Sequence, residues 1–184
     1  MRYIAFVLLS LPLALVGGCG GNAFGNAQIE NVVDTIMLGA LVGTPISVAS
    51  AFSVAESAPV RTDLTSQFDF AYNILPDQRR VLLPRAALGL RSGTADPGLQ
   101  RSEDGFDQID KAPLNGYFTL DTIPIAVGER YVVRSRIVCT NIGVPVYGKI
   151  EILSFDDADR RVTFRVLANR NCGFRSLQPG VPED

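Results

Sequence analysis

Tyr147-Gly148-Lys149-Ile150-Glu151-Ile152-Leu153-Ser154-Phe155 and Arg161-Val162-Thr163-Phe164-Arg165-Val166-Leu167 flank the polar stretch Asp156-Asp157-Ala158-Asp159-Arg160. Apolar and polar residues alternate in both runs, the period-2 mark of a strand with one face on a core. The short polar connection predicts a hairpin. If Ile152 faces Phe164 and Ile150 faces Val166, Glu151 stands opposite Arg165 on the outer face, a favourable cross-strand pair.

The same pattern extends in both directions. In Tyr131-Val132-Val133-Arg134-Ser135-Arg136-Ile137-Val138-Cys139 the odd positions Tyr131, Val133, Ile137 and Cys139 share a face, with Arg134 and Arg136 on the other. Phe68, Phe70, Tyr72 and Ile74 alternate with Asp69, Ala71 and Asn73. Pro76-Asp77-Gln78 turns the chain toward Val81-Leu82-Leu83, and Pro84 ends that run or places it at an edge. Ile46, Val48, Phe52 and Val54 lie between Pro45 and Pro59. Asn31 to Leu41 reads as a first strand, because Gly39 and Gly43 argue against a long helix. The polar, Gly- and Pro-bearing stretch 91–115 predicts a long surface excursion, the kind of segment that carries binding function. The fold expected is all-β, a single antiparallel β-sandwich domain over residues 31–184.

Ahead of it, Met1-Arg2 and the apolar run Tyr3–Val16 end in Val16-Gly17-Gly18-Cys19. Charge, a short apolar region and a small-residue cleavage site make a secretory signal over 1–18. The run is shorter than the ~20 residues needed to cross a bilayer. Val16-Gly17-Gly18-Cys19 resembles the lipobox of bacterial lipoproteins, with Val where that pattern more often has Leu. The resemblance implies that Cys19 becomes the acylated first residue, followed by a flexible tether over 19–30. Gly20 rather than Asp follows the cysteine, which in that class favours the outer membrane. The alternative is an ordinary secreted protein whose Cys19 is incidental.

Losing the leader removes one base, Arg2, from 17 Lys+Arg, leaving 16 against 19 Asp+Glu, a formal −3. That balance does not suit a nucleic-acid binder. The chain has no His, so a Ser-His-Asp triad, a Cys-His pair and imidazole metal or haem ligation are all excluded. With Cys19 acylated, Cys139 and Cys172 remain, an even pair in an oxidising compartment that reads as a disulfide. Closing the chain between them stabilises by roughly 3–4 kcal/mol in the chain-entropy model. No serine sits in a GxSxG elbow, and Lys111 and Lys149 are the only lysines available as bases.

The acidic groups Asp156, Asp157, Asp159 and Glu103, Asp104, Asp107, Asp110 read as turns and solvated loop, since Asp favours turns by bonding nearby amides. Calcium or a catalytic carboxylate pair is the competing reading. No metal and no cofactor are expected. Residues 130–175 carry eight Arg and one Lys against four acids, whereas 19–129 carry seven bases against thirteen acids. A positive face of Arg134, Arg136, Arg165 and Arg170 would suit an anionic ligand or partner. Pairing with the acidic half of the same chain is the simpler use of these arginines.

Three segments together resemble the HmuY-like haem-binding lipoproteins: Ser66-Gln67-Phe68-Asp69-Phe70-Ala71-Tyr72, then Phe106-Asp107-Gln108-Ile109 with Gly116-Tyr117, then the strands from Tyr131, Tyr147 and Val162. The resemblance implies a lipid-anchored antiparallel β domain that binds a ligand at the cell surface. It carries no ligand residue over, because the histidines that hold haem in that family are missing here. The function expected is therefore a non-enzymatic envelope lipoprotein, anchored at the outer membrane, that binds a small ligand or a protein partner. A structural or assembly accessory of an outer-membrane complex is the alternative, and a carboxylate-based glycan hydrolase the third. Replacing Cys19 by Ser is expected to move the protein from the membrane pellet to the soluble fraction on sedimentation.

Overall fold

The computed structural model describes residues 25–91, 93 and 95–183, so the leader and Cys19 lie outside the described residues. Among the described residues ten strands run in the order β1 Val33–Gly39, β2 Ala51–Ser53, β3 Ala58–Val60, β4 Phe70–Ile74, β5 Arg80–Pro84, β6 Gly98–Ser102, β7 Ile123–Pro124, β8 Arg130–Cys139, β9 Val144–Asp156 and β10 Arg161–Asn169. They form two antiparallel five-stranded sheets, β1-β10-β9-β8-β6 and β3-β2-β4-β5-β7. The chain is an all-β sandwich. β1 and β10 pair, Val33 opposite Leu167 through Gly39 opposite Arg161, which joins the first and last described strands in one sheet.

The β9–β10 hairpin carries the anticipated register. Ile152 faces Phe164, Ile150 faces Val166, and Glu151 faces Arg165. Arg165 Nε donates to Glu151 Oε2 at 2.6 Å. In the turn, Asp159 N–H donates to Asp156 Oδ1 at 3.1 Å. Ile150, Ile152, Phe164 and Val166 point between the sheets and meet Phe52, Phe70, Tyr72 and Leu82 of the second sheet. Phe52 lies 5.6 Å from Phe70 and 5.7 Å from Phe164, edge-on to the latter, so three rings fill the middle of the sandwich. Burying each such ring stabilises by roughly 1.5–3 kcal/mol relative to leaving it exposed.

Three sequence expectations change. Phe68 does not share a face with Phe70, Tyr72 and Ile74: it packs with Ala51, Val60 and Ala71 on the outer side of the second sheet. The chain bends at Asp69 before β4 begins, and that breaks the alternation. The stretch 91–115 is not a plain surface excursion. It holds β6, whose Leu99 is fully buried, and the short 3-10 turn Phe106–Gln108, whose Phe106 enters a second apolar cluster. Only one residue of β6 reaches the main core, so no period was there to read. In β8 the odd-in, even-out pattern stops at a bulge: Arg134 pairs with Tyr147, but Ile137 pairs with Pro145, three steps against two. A bulge inserts an extra residue and turns the strand. Pro145 suits the spot, because a proline in a strand is tolerated where the ladder is interrupted.

The bulge is held from inside. Ser135 Oγ accepts the Val146 N–H at 2.9 Å and donates to Arg136 O at 2.6 Å. Asp69 Oδ1 accepts the Arg136 N–H at 2.8 Å and Arg136 Nη1 at 3.2 Å, while Oδ2 accepts the Val54 N–H at 2.8 Å. One carboxylate thus joins β8 of the first sheet to the end of β2 in the second. Burial pushes the Asp69 carboxyl upward, against the pull of the Arg136 and Val54 donors.

Cys139 and Cys172 form a disulfide with Cα atoms 5.8 Å apart, linking the end of β8 to the segment after β10. Hydrogen bonding to the sandwich extends ahead of the expected boundary at 31. The Gln28 and Ile29 N–H groups donate to Asn171 Oδ1 at 3.0 and 2.9 Å. Asp69→Ala is expected to lower stability to urea by about 3–5 kcal/mol, because Arg136 is left buried without its partner. Combining it with Arg136→Met should cost less than the sum of the single changes. A loss under about 1 kcal/mol for Asp69→Ala contradicts the bridging role.

Candidate functional site

The outer face of the first sheet is roofed. Phe106, Ile109 and Ala112 come down on Val132 of β8, Tyr147 of β9 and Leu167 of β10, joined by Leu177 from the C-terminal tail. Backbone pairing holds the roof to that tail: Ala112 N–H donates to Arg175 O at 2.8 Å and Leu177 N–H to Asp110 O at 2.7 Å. Gln178 adds a side-chain bond to the Asp110 carboxylate. Beside β6 the segment 117–119 lies close. A Cβ at Gly98 would sit 2.7 Å from Phe118 O and 2.9 Å from Tyr117 Cβ, so this approach requires glycine.

Beneath the roof lies Lys149, 1% exposed. Its Nζ donates to Phe106 O at 2.7 Å and Ile109 O at 3.0 Å, and stands 4.7 Å from the Phe106 ring. Arg165 Cζ lies 4.1 Å from the same ring, so Phe106 is held by two cations while its own carbonyl is captured. Burial pulls Lys149 below the ordinary lysine value, with Asp107 and Asp110 opposing. Two carbonyls suffice for the two N–H bonds of a neutral amine, so the roof stays pinned in either protonation state.

Between this roof and β6 opens a cleft of about 210 Å³. Gln100, Arg101 and Ser102 of β6, with Val132, supply one side; Gln108, Ile109, Asp110, Lys111 and Pro113 supply the other, and Asp104 stands at the rim. Arg101 is turned to Glu129 at 2.9 Å and Glu103 at 3.4 Å. Ser102 Oγ accepts the Asp104 N–H at 3.2 Å, and Gln108 Oε1 accepts the Gly105 N–H at 3.2 Å, which shapes the loop. Gln100 Oε1 is buried and accepts no hydrogen bond from the described residues. Such an atom costs about 1–3 kcal/mol while unpaired. Two cations and two carboxylates line the cleft together, a balance that suits a neutral polyhydroxylated molecule or a zwitterion better than a strong anion.

The four arginines singled out from the sequence do not share a face. Arg134 lies over the Tyr117 ring at 4.8 Å and donates to Asp96 O at 2.9 Å. Arg165 pairs with Glu151 on the outer face, with Asp107 at 3.8 Å. Arg136 is buried between the sheets on Asp69, with Gln67 Oε1 at 3.0 Å. Arg170 sits at the far end with Ile29 and Cys172. Of the acidic groups, Asp157 is taken by Arg80 and Asp156 by the turn. Among the described residues no three His, Cys, Asp or Glu side chains gather as metal ligands, and no helix is long and apolar enough to cross a membrane.

Sequence reasoning missed Gln100 and the roles of Lys149 and Asp69. Lys149 carried one usable sign, a lone lysine in the middle of the best-patterned strand. Gln100 carried none. The class defined by this architecture is a two-sheet antiparallel sandwich with a loop-roofed polar cleft on one outer face. No protein-family model, curated protein or solved structure matches the chain.

The lowered Lys149 value has a consequence with a definite sign. Where the folded group releases its proton before the unfolded one, the unfolded chain binds more protons, and stability rises with pH toward 10.5. Urea unfolding of wild type and Lys149→Met between about pH 8 and 10.5 should show this alkaline gain in the difference between them, the wild type gaining on the variant. A difference that does not change with pH contradicts the buried-amine account.

Proposed function

We propose that this chain is a lipid-anchored, non-enzymatic envelope protein, held at the outer membrane through Cys19, that binds a small polyhydroxylated or zwitterionic molecule in the cleft between β6 and its roof. The observation that carries the reading is that Gln100, whose buried side-chain carbonyl has no donor from the described residues, is among the residues lining that cleft. The pinned roof supports it, because a loop fixed by Lys149 and by the tail loses little freedom when a ligand enters. The space between the sheets is filled by Phe52, Phe70 and Phe164, which turns attention from an apolar interior cavity to the outer face.

An accessory role in an outer-membrane assembly is the second reading. It is favoured by Leu114, Phe118 and Leu120, all more than half exposed within seven residues of one another on the segment that borders β6. For the glycan hydrolase the support is thinner. Asp104 and Asp110 are exposed carboxylates, Asp110 is engaged by Gln178, and the buried Asp69 is spent on joining the sheets.

Native mass spectrometry of the mature protein, purified from its own envelope without denaturant, is expected to show a retained small molecule. Gln100→Leu should reduce retention and weaken binding of the identified molecule about five- to tenfold, while leaving Tm unchanged or raised. A bare mass from protein whose Tm is normal would move the assignment to the accessory role.

A further inference from the structure

We infer that the disulfide-bearing end of the sandwich is a membrane-resting surface, and that its occupant is the lipid bilayer. The inference rests on the anchoring through Cys19 proposed above. Among the described residues Gln28 is the first that hydrogen-bonds to the sandwich, nine residues after Cys19. Nine residues span about 30 Å at full extension, and about 15–18 Å as a flexible chain. β9 alone has 13 residues, about 43 Å of strand. The tether is therefore short compared with the molecule, and whichever end holds Gln28 faces the lipid.

That end is well defined. Asn171 Oδ1 accepts the Gln28 and Ile29 N–H groups, and Asn171 Nδ2 donates to Ile29 O at 2.8 Å, so the pivot is locked to the segment after β10. Asn31 and Gly180 exchange antiparallel backbone bonds of 2.8 and 3.0 Å, which ties the segment bearing Val181 to the segment bearing Ile29 and Val32. Cys172 shares one cleft with Ile29 and Arg170, and another with Ile142. The turn bearing Ile142 is closed by the Ile142 and Gly143 N–H groups on Cys139 O, at 3.1 and 2.8 Å, and fastened by the disulfide.

Four of the side chains left outward by this scaffold are aliphatic. Val32 is 60%, Val181 54%, Ile142 47% and Ile29 36% exposed. Four aliphatic side chains on rigid backbone at the anchored end suit shallow insertion at a lipid interface, where the tether removes most of the entropic cost of approach. The charged residues here, Glu30 and Glu183 against Arg170, lean acidic. The matching surface is one of near-neutral headgroups, and anionic lipid should weaken the contact.

The chain contains no tryptophan, so one introduced indole reports alone. The full lipidated protein carrying Ile142→Trp, Val181→Trp or Leu153→Trp would be placed in phosphatidylcholine vesicles with acyl-chain-brominated lipid. Leu153 lies nine residues beyond the start of β9, toward the opposite end. Fluorescence of Ile142→Trp and Val181→Trp is expected to fall at least twofold, and that of Leu153→Trp to stay unchanged. Replacing about a third of the lipid by phosphatidylglycerol should reduce the quenching. Protein that sediments with the vesicles yet shows no quenching in Ile142→Trp or Val181→Trp, or equal quenching at all three sites, overturns the inference and leaves the anchor standing. A Cys19→Ser protein that still sediments with vesicles overturns the anchoring reading instead.

Discussion

The two sheets depend on one buried carboxylate. Asp69 sits where the chain bends into β4, takes the Val54 amide with one oxygen, and holds both the amide and the guanidinium of Arg136 with the other. Arg136 is presented to it by the β8 bulge, which Ser135 and Pro145 help to shape. A buried ion pair is weak evidence for net stability, since desolvation offsets much of the attraction. Its contribution here is alignment. With the bulge in place, β8 shifts its register against β9, Cys139 reaches Cys172, and the second sheet is fixed over the Phe52–Phe70–Phe164 rings.

A second buried charge organises the opposite side of the first sheet. Lys149 lies at the centre of β9 and faces out, where a layer of loop and tail has closed over it. The carbonyls it captures belong to Phe106 and Ile109, the residues that bring apolar weight down on Val132 and Tyr147. The roof is thus held by packing and by hydrogen bonds at the same points, and the cleft at its margin has firm walls. A polar pocket needs that firmness, because each side chain ordered on binding subtracts from affinity.

The first and last described segments meet. β1 pairs with β10, Asn31 pairs with Gly180, and Asn171 gathers Gln28 and Ile29. The cleft borders β6, at the edge of the same sheet farthest from β1. On the proposed reading, ligand site and anchor are properties of one sheet, placed at different borders of it. The fold then keeps the cleft open while the tethered end is occupied.

Much of the fold was legible because alternation is local. Residues 147–155 and 161–167 declare their own faces, and the choice of Phe164 opposite Ile152 follows from burying both. The cysteine pair was legible for a similar reason, since two thiols left over in a chain read as exported have few other expected uses. Nothing local announces the bulge: Arg136 reads as one more outward position until Asp69, 67 residues earlier in the chain, arrives to take its amide. Lys149 reads as an exposed lysine until the roof, about 40 residues earlier, covers it. Leu99 and Gln100 are adjacent in a strand too short to show a period, and only pairing with β8 sends one to the core and the other to the cleft. The sequence by itself determined the longer alternating strands, the register of the last hairpin and the pairing of Cys139 with Cys172, because those rest on periodicity and elimination. Tertiary structure alone decided which polar groups were buried and which were left wanting a partner, because burial belongs to the neighbours a residue meets rather than to the residue.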